Sequence, residues 1–179
     1  MCTNVSPCPW DEGTCDSAAW SGHLAVLQWA QEHGCPWRGA HCCALAAEGG
    51  HLAVLQWLRE VDCPWNTVTS QVCEAAAKGG HLEVLQWARE NGSPWGYGRF
   101  SGVCQAAAKG GHLAVLQWAR EHDCPWDATV CSLAAGGGHL ALLQWALEHG
   151  CPWNAGTKRV CESMARGHPD TLAWLRAQP

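Results

Sequence analysis

The stretch AAAKGGHLEVLQWARENGSPW, residues 75–95, decides the reading of this chain, because most of it returns elsewhere. GHLAVLQWA occupies 22–30 and 111–119, GHLAVLQWL 50–58, GHLEVLQWA 80–88 and GHLALLQWA 138–146. A worn copy, GHPDTLAWL, stands at 167–175. The histidines of these copies are His23, His51, His81, His112, His139 and His168, at spacings of 28, 30, 31, 27 and 29. A unit of about thirty residues therefore fills nearly the whole chain, the sign of a repeat architecture.

Each unit reads as two helices. In the quoted copy Leu82, Val84, Leu85 and Ala88 form one apolar stripe at helical spacing, with Trp87 at its border and Glu83, Gln86, Arg89 and Glu90 on the wetter side. Gly34, Gly92 or Gly150 suits the left-handed residue after that helix, and the proline two residues on prevents continuation. The preceding helix is short and rich in alanine, as in VCEAAAKGG at 72–80 and VCQAAAKGG at 103–111. Its small residues admit close helix approach, and its glycine pair breaks the chain before the second helix. Two helices this short cannot bury their own apolar faces, so successive units must stack into an α-solenoid.

Composition agrees. With 47% apolar residues the 179-residue chain can build a core, and thirteen Trp against one Tyr and one Phe point to one unit copied several times. The formal charge is −5 with lysines and arginines scattered, so no basic stripe favours nucleic acid. No run approaches the ~18 apolar residues of a membrane helix. MCTNVSPCPW at 1–10 lacks the charged start and apolar centre of a signal peptide. Thirteen cysteines without such a signal point to a reducing compartment and mostly free thiols.

The Ala pair, the Gly-His, the apolar helix and the glycine after it resemble the ankyrin repeat in five copies without gaps. The Thr-Pro-Leu-His start of that family is missing, Trp replaces a Leu in the second helix, and Cys-Pro-Trp stands where Ala-Asp-Val would be. In these respects the chain is similar to the Cys-Pro-Trp ankyrin variant with shortened fingers, associated with large DNA viruses of protists and some unicellular eukaryotes. The resemblance implies an all-α, ankyrin-like α-solenoid of about six stacked helix-turn-helix repeats, a single domain over 1–179. The helix pairs are expected near 14–33, 41–61, 71–91, 102–122, 129–149 and 159–177. It implies a non-catalytic scaffold or adaptor that binds a protein partner. The chain is then a monomer in the cytoplasm or nucleus, a host cell's included. The distance from the Trp of Cys-Pro-Trp to the next unit's cysteine varies: five residues for Trp10–Cys15 and Trp126–Cys131, eight for Trp65–Cys73 and Trp153–Cys161, nine for Trp95–Cys104. The family's finger lies in this segment, and the short copies cut it to a tight turn.

The cysteines admit a chemical reading, a thiol-rich metal-binding or redox protein on the same fold. Cys15, Cys43, Cys73, Cys104 and Cys131 each precede the unit's histidine by eight residues. Eight helical residues span ~12 Å, too far for one metal with bonds of ~2.0–2.3 Å. Equivalent cysteines of successive units, at a helix spacing of ~8–10 Å, also exceed the ~7 Å limit for a disulfide. These cysteines read as small buried hydrophobes. Ser93 replaces the cysteine of Cys-Pro-Trp in one copy, as a packing position tolerates and a ligand ladder does not. The indoles, at up to ~150–250 Å² each, are expected to clamp adjoining units. The Gly-His rings are expected to hydrogen-bond across the interhelical turn. No phosphate loop, carboxylate pair or zinc-finger spacing appears, so no catalytic, cofactor or metal residues are assigned.

Partner binding is expected where copies differ. Seven residues before the histidine stand Asp16, Ala44, Glu74, Gln105 and Ser132; three before it stand Trp20, Glu48, Lys78, Lys109 and Gly136. The resemblance places first helices on a concave surface, so Glu74, Lys78, Gln105 and Lys109 are candidate contacts. The longest insertion, GYGRFSGV at 96–103, adds Tyr97, Arg99 and Phe100, with Tyr and Arg enriched at interface hot spots. The last unit, with Glu162, Arg166, Asp170 and Arg176, reads as a terminal cap where the array is expected to end, whereas the N-terminus opens inside a unit.

Overall fold

The computed structural model describes residues 11–36, 38–62, 71–95 and 102–178. Among them lie twelve α-helices in six pairs and no strand. The pairs are α1 (Glu12–Trp20) with α2 (Leu24–Glu32), α3 (Gly39–Glu48) with α4 (Leu52–Glu60), and α5 (Gln71–Gly79) with α6 (Leu82–Glu90). They continue as α7 (Gly102–Gly110) with α8 (Leu113–Glu121), α9 (Thr129–Gly136) with α10 (Leu140–Glu148), and α11 (Ala155–Met164) with α12 (Pro169–Ala177). A 3-10 turn, Ala165–Gly167, joins the last two.

In the first five pairs the turn is made by the glycine before the histidine. Gly80 has φ +80°, and the His81 N–H donates back to the Ala76 carbonyl at 2.9 Å. This is the six-to-one closure that a left-handed residue permits at a helix end. The same closure ends the second helices. Ser93, Cys124 and Cys151 donate their backbone N–H to Ala88, Ala119 and Ala146, each at 2.9 Å. The residue before each is left-handed: Gly92 at +85°, Asp123 at +61° and Gly150 at +81°. That places the first residue of every described Cys-Pro-Trp or Ser-Pro-Trp at one fixed point beneath the pair. Asp123 carries a Cβ in a conformation suited to glycine. Asp123→Gly is expected to raise stability by about 1 kcal/mol, seen as a higher urea midpoint at unchanged slope.

First helices pack most extensively on first helices, along the series α1, α3, α5, α7, α9 and α11. Alanine and cysteine are the reason: Cys73, Ala76 and Ala77 of α5 and Cys104, Ala107 and Ala108 of α7 are all fully buried. The second helices stand further from one another, since of their mutual pairings only α6 with α8 makes more than marginal contact. A layer of tightly spaced helices beside a looser one bends the stack toward the tight layer, so the first helices line the inner curve.

The indoles occupy the gaps of the looser layer and are half-buried, short of the full burial their size suggested. Trp57, Trp87, Trp118 and Trp145 pack against the core from its edge, and Trp29 remains 39% exposed. The clamp between units is nonetheless present. Trp95 tilts against Trp118 of the next pair at 5.8 Å, lies beneath the Arg89 guanidinium at 4.3 Å and donates from Nε1 to the His122 carbonyl at 3.1 Å. Trp126 repeats the arrangement, with Trp145 at 6.0 Å and Arg120 at 4.4 Å. Edge-on aromatic pairs and stacked cations each add about 1 kcal/mol at such sites.

In the last pair α11 starts at Ala155, four residues before the expected 159, because the Asn154 side chain accepts from the Gly156 and Thr157 N–H groups. Pro169 occupies the first turn of α12, where its missing N–H has no helical partner to lose.

Candidate functional site

Four first helices shape one groove of about 570 Å³ on the inner curve. Glu74 and Lys78 of α5 and Gln105 and Lys109 of α7 line it together, with Glu48 of α3 and Leu133 of α9 toward its ends. The residues that vary among copies thus converge on one surface. They are of mixed charge. Lys78 pairs with Glu48 at 2.7 Å, Lys109 is exposed, and the Glu74 carboxylate lies over Gly102. The Gln105 side-chain amide donates to the Thr129 hydroxyl at 2.9 Å. Toward α1 the face continues with the Arg38–Glu12 ion pair, His41 at 3.6 Å from Asp16, and Trp20 at 55% exposure. Ser132 departs from its expected place on this face. It is buried, with its hydroxyl donating to the Thr129 carbonyl at 3.0 Å. Tyr97, Arg99 and Phe100 lie outside the described residues.

One wall of the groove is held by histidines. Nε2 of His51, His112, His139 and His168 meets the carbonyls of Trp20, Lys78, Lys109 and Gly136 at 2.8, 3.0, 3.2 and 3.0 Å. A carbonyl only accepts, so Nε2 carries the proton. Each bond runs to the preceding pair, so the ring fastens unit to unit. A second set escaped the sequence reading. His33, His122 and His149 stack on Trp29, Trp118 and Trp145 at 3.9, 4.1 and 4.2 Å, and Nδ1 of each donates to the same tryptophan's carbonyl at 2.8 Å. The visible signal was the Trp-to-His interval of four residues, one helical turn.

The helix-one cysteines are buried as expected, but they are not isolated. Cys73, Cys104 and Cys131 each face the first residue of the motif that closes their own pair. Cys104 and Cys124 sulfurs lie 3.2 Å apart, Cys131 and Cys151 2.9 Å, and Cys73 meets the Ser93 hydroxyl at 3.2 Å. Cys35 is disulfide-bonded, though not to Cys15, which is free. The hydrogen bond from Cys131 holds the Cys151 thiol below its usual range and, with burial, raises Cys131; Cys104 is raised likewise by its bond to Cys124. Burial pushes Cys73 up to about 11 from an ordinary 9.0. Unfolded Cys73 therefore ionises first as pH rises, and the native state loses stability between those two values. The expected loss is about 2–3 kcal/mol from this thiol alone, read as a falling urea midpoint across that window, and Cys73→Ala is expected to flatten it. Among the described residues no three His, Cys, Asp or Glu side chains gather as a metal-ligand set, and no helix is long and apolar enough to cross a membrane.

Helix-turn-helix pairs stacked through small first helices, with a Gly-His turn fastening each to the next, define an ankyrin-repeat solenoid. Among solved structures the chain is similar to the human ASB11 ankyrin repeat domain, at 15% identity and a TM-score of 0.67 over 90% of this chain and 81% of that one. No protein-family model and no curated protein matches the sequence. The likeness shows the fold.

Proposed function

We propose that the chain is a non-catalytic interaction scaffold, acting as a monomer inside the cell and taking a protein partner along the groove between α3 and α9. The observation that carries this is a division of labour among positions. Most letters common to the copies are buried or fasten the stack, whereas the position of Glu74 and Gln105 and that of Lys78 and Lys109 vary along the array, and these four side chains share one open groove. Charges of both signs suit a polar or mixed-charge protein segment and give no single-sign field favouring nucleic acid. The 96–103 insertion leads into α7 in the sequence, and its Tyr97, Arg99 and Phe100 extend the proposed contact. The Cys-Pro-Trp likeness to proteins of viruses and protists accords with this reading and adds no partner.

Crosslinking in the native cell supplies the partner, and titration with the purified pair supplies the test. Joint Glu74→Ala, Lys78→Ala, Gln105→Ala and Lys109→Ala is expected to weaken binding at least tenfold, about 1.4 kcal/mol or more, with circular dichroism unchanged. The triple Tyr97→Ala, Arg99→Ala, Phe100→Ala is expected to do the same. Full affinity in both variants overturns the proposed surface.

A further inference from the structure

We propose that Cys131 with Cys151, and Cys104 with Cys124, are dithiol oxidation sites whose substrate is a small hydroperoxide and whose product is a disulfide within the repeat. The sulfurs are already 2.9 and 3.2 Å apart. A disulfide needs ~2.05 Å, so closure asks for about 1 Å of travel between side chains that face each other. A bridging metal asks for the opposite. With bonds of ~2.3 Å and tetrahedral angles, two thiolates stand roughly 3.7 Å apart, and a third ligand is missing among the described residues.

In the Cys131–Cys151 pair the two sulfurs have distinct roles, whereas Cys104 and Cys124 are both fully buried. Cys151 follows the left-handed Gly150 at a surface turn and keeps 4% exposure, while Cys131 lies behind it at 0%. A peroxide entering from the turn meets Cys151 first. Cys131 donates its proton toward the Cys151 sulfur, which keeps the electron pair of the outer sulfur available and its proton loosely held. The Cys151 thiolate attacks one peroxide oxygen, the O–O bond breaks, and the departing hydroxide takes a proton to become water. The Cys131 sulfur then attacks the sulfenic sulfur, forming the S–S bond. The S–O bond breaks, and hydroxide leaves with the Cys131 proton as a second water. Two thiols and one peroxide give one disulfide and two waters; both sulfurs are oxidised and both oxygens reduced.

The unit of α5 and α6 supplies an internal comparison. Ser93 holds the place of Cys124 and Cys151, with its hydroxyl at the same 3.2 Å from Cys73, so the geometry is present and the second sulfur is not. Cys151→Ser imitates a substitution that this fold already accommodates.

Reduced protein is treated at pH 7 with one equivalent of hydrogen peroxide per pair, quenched with an alkylating reagent, digested and read by mass spectrometry. Peptides joined through Cys131–Cys151 and Cys104–Cys124 are expected, with Cys73 recovered alkylated. Ser93→Cys is expected to add a third bond, to Cys73, and Cys151→Ser to leave Cys131 reduced. Three results overturn the proposal: alkylation of all four thiols after the peroxide is consumed, scrambled pairings in protein whose circular dichroism is unchanged, or oxidation only in urea that unfolds the chain.

Discussion

Gly80→Ala is expected to cost roughly 3–4 kcal/mol, from a left-handed penalty of about 1–2 and overpacking of about 2, with the urea midpoint falling accordingly. Two separate causes act at this position. The backbone is left-handed at +80°, where a Cβ crowds the following carbonyl. A Cβ there would also stand 2.5 Å from Nδ1 and 2.6 Å from Cε1 of His112. That ring cannot swing aside cheaply, because its Nε2 is tied to the Lys78 carbonyl at 3.0 Å. The two causes separate in a double-mutant cycle. In a His112→Ala background the ring is gone and only the backbone term of about 1–2 kcal/mol remains for Gly80→Ala. An equal cost in both backgrounds would show that the ring plays no steric part. Gly79→Ala makes the same point by a reversal of sign. Gly79 has an ordinary helical backbone, where alanine normally gains about 1 kcal/mol. Its Cβ would instead meet the Glu48 carbonyl of the preceding pair at 2.2 Å, so this variant is expected to destabilise.

The Gly-Gly-His turn explains why so much of the fold was legible. Its three letters are each committed to one contact with a neighbouring unit, so they recur unchanged in the four central copies and announce the repeat, with Ser21 and Arg166 in the first glycine's place in the outer two. The periodic Leu and Val positions are equally committed, and Leu85, Leu116 and Leu143 are fully buried as the stripe requires. The cysteines are buried as the sequence predicts, and their facing one another is not legible from distances between equivalent cysteines of successive units or between cysteine and histidine. The interval that mattered runs from the helix-one cysteine to the first residue of the Pro-Trp motif. It is twenty residues in Cys15–Cys35, Cys43–Cys63, Cys73–Ser93, Cys104–Cys124 and Cys131–Cys151, while the segment after Trp varies from five to nine. A constant interval beside a variable one marks the rigid unit, and the closing turn folds that unit's ends together. The indoles misled by their area. Trp is too large for the space between close-packed first helices, so it fills the wider gaps at the edge of the second layer, where part of each ring stays wet. The groove was legible only as variability. Which variable positions face it depends on backbone curvature, which no single unit encodes; Ser132 and Lys109 fall into the two aligned variable sets, yet one is buried and the other exposed.

Leu116→Ala is expected to cost about 3–4 kcal/mol and Leu175→Ala markedly less, although both side chains are fully buried. The difference follows from position in the stack. Leu116 lies on α8, whose pair has described neighbours on both sides, and a cavity there removes packing that holds α7 and α8 between two interfaces. Stability in such an array is a sum of unit terms and nearest-neighbour interface terms, and a central defect weakens two interface terms at once. Leu175 lies on α12, in a pair with one described neighbour, so a cavity there weakens one interface and leaves the rest of the stack intact. The two variants should differ in cooperativity as well as midpoint. Leu175→Ala is expected to let α11 and α12 fray first, with early hydrogen exchange confined to 155–177. Leu116→Ala is expected to lower protection on both sides of α8 together. Equal costs and a uniform loss of protection in both variants would mean that the chain unfolds as one cooperative globule, and that additive coupling between neighbouring pairs is the wrong description of its stability.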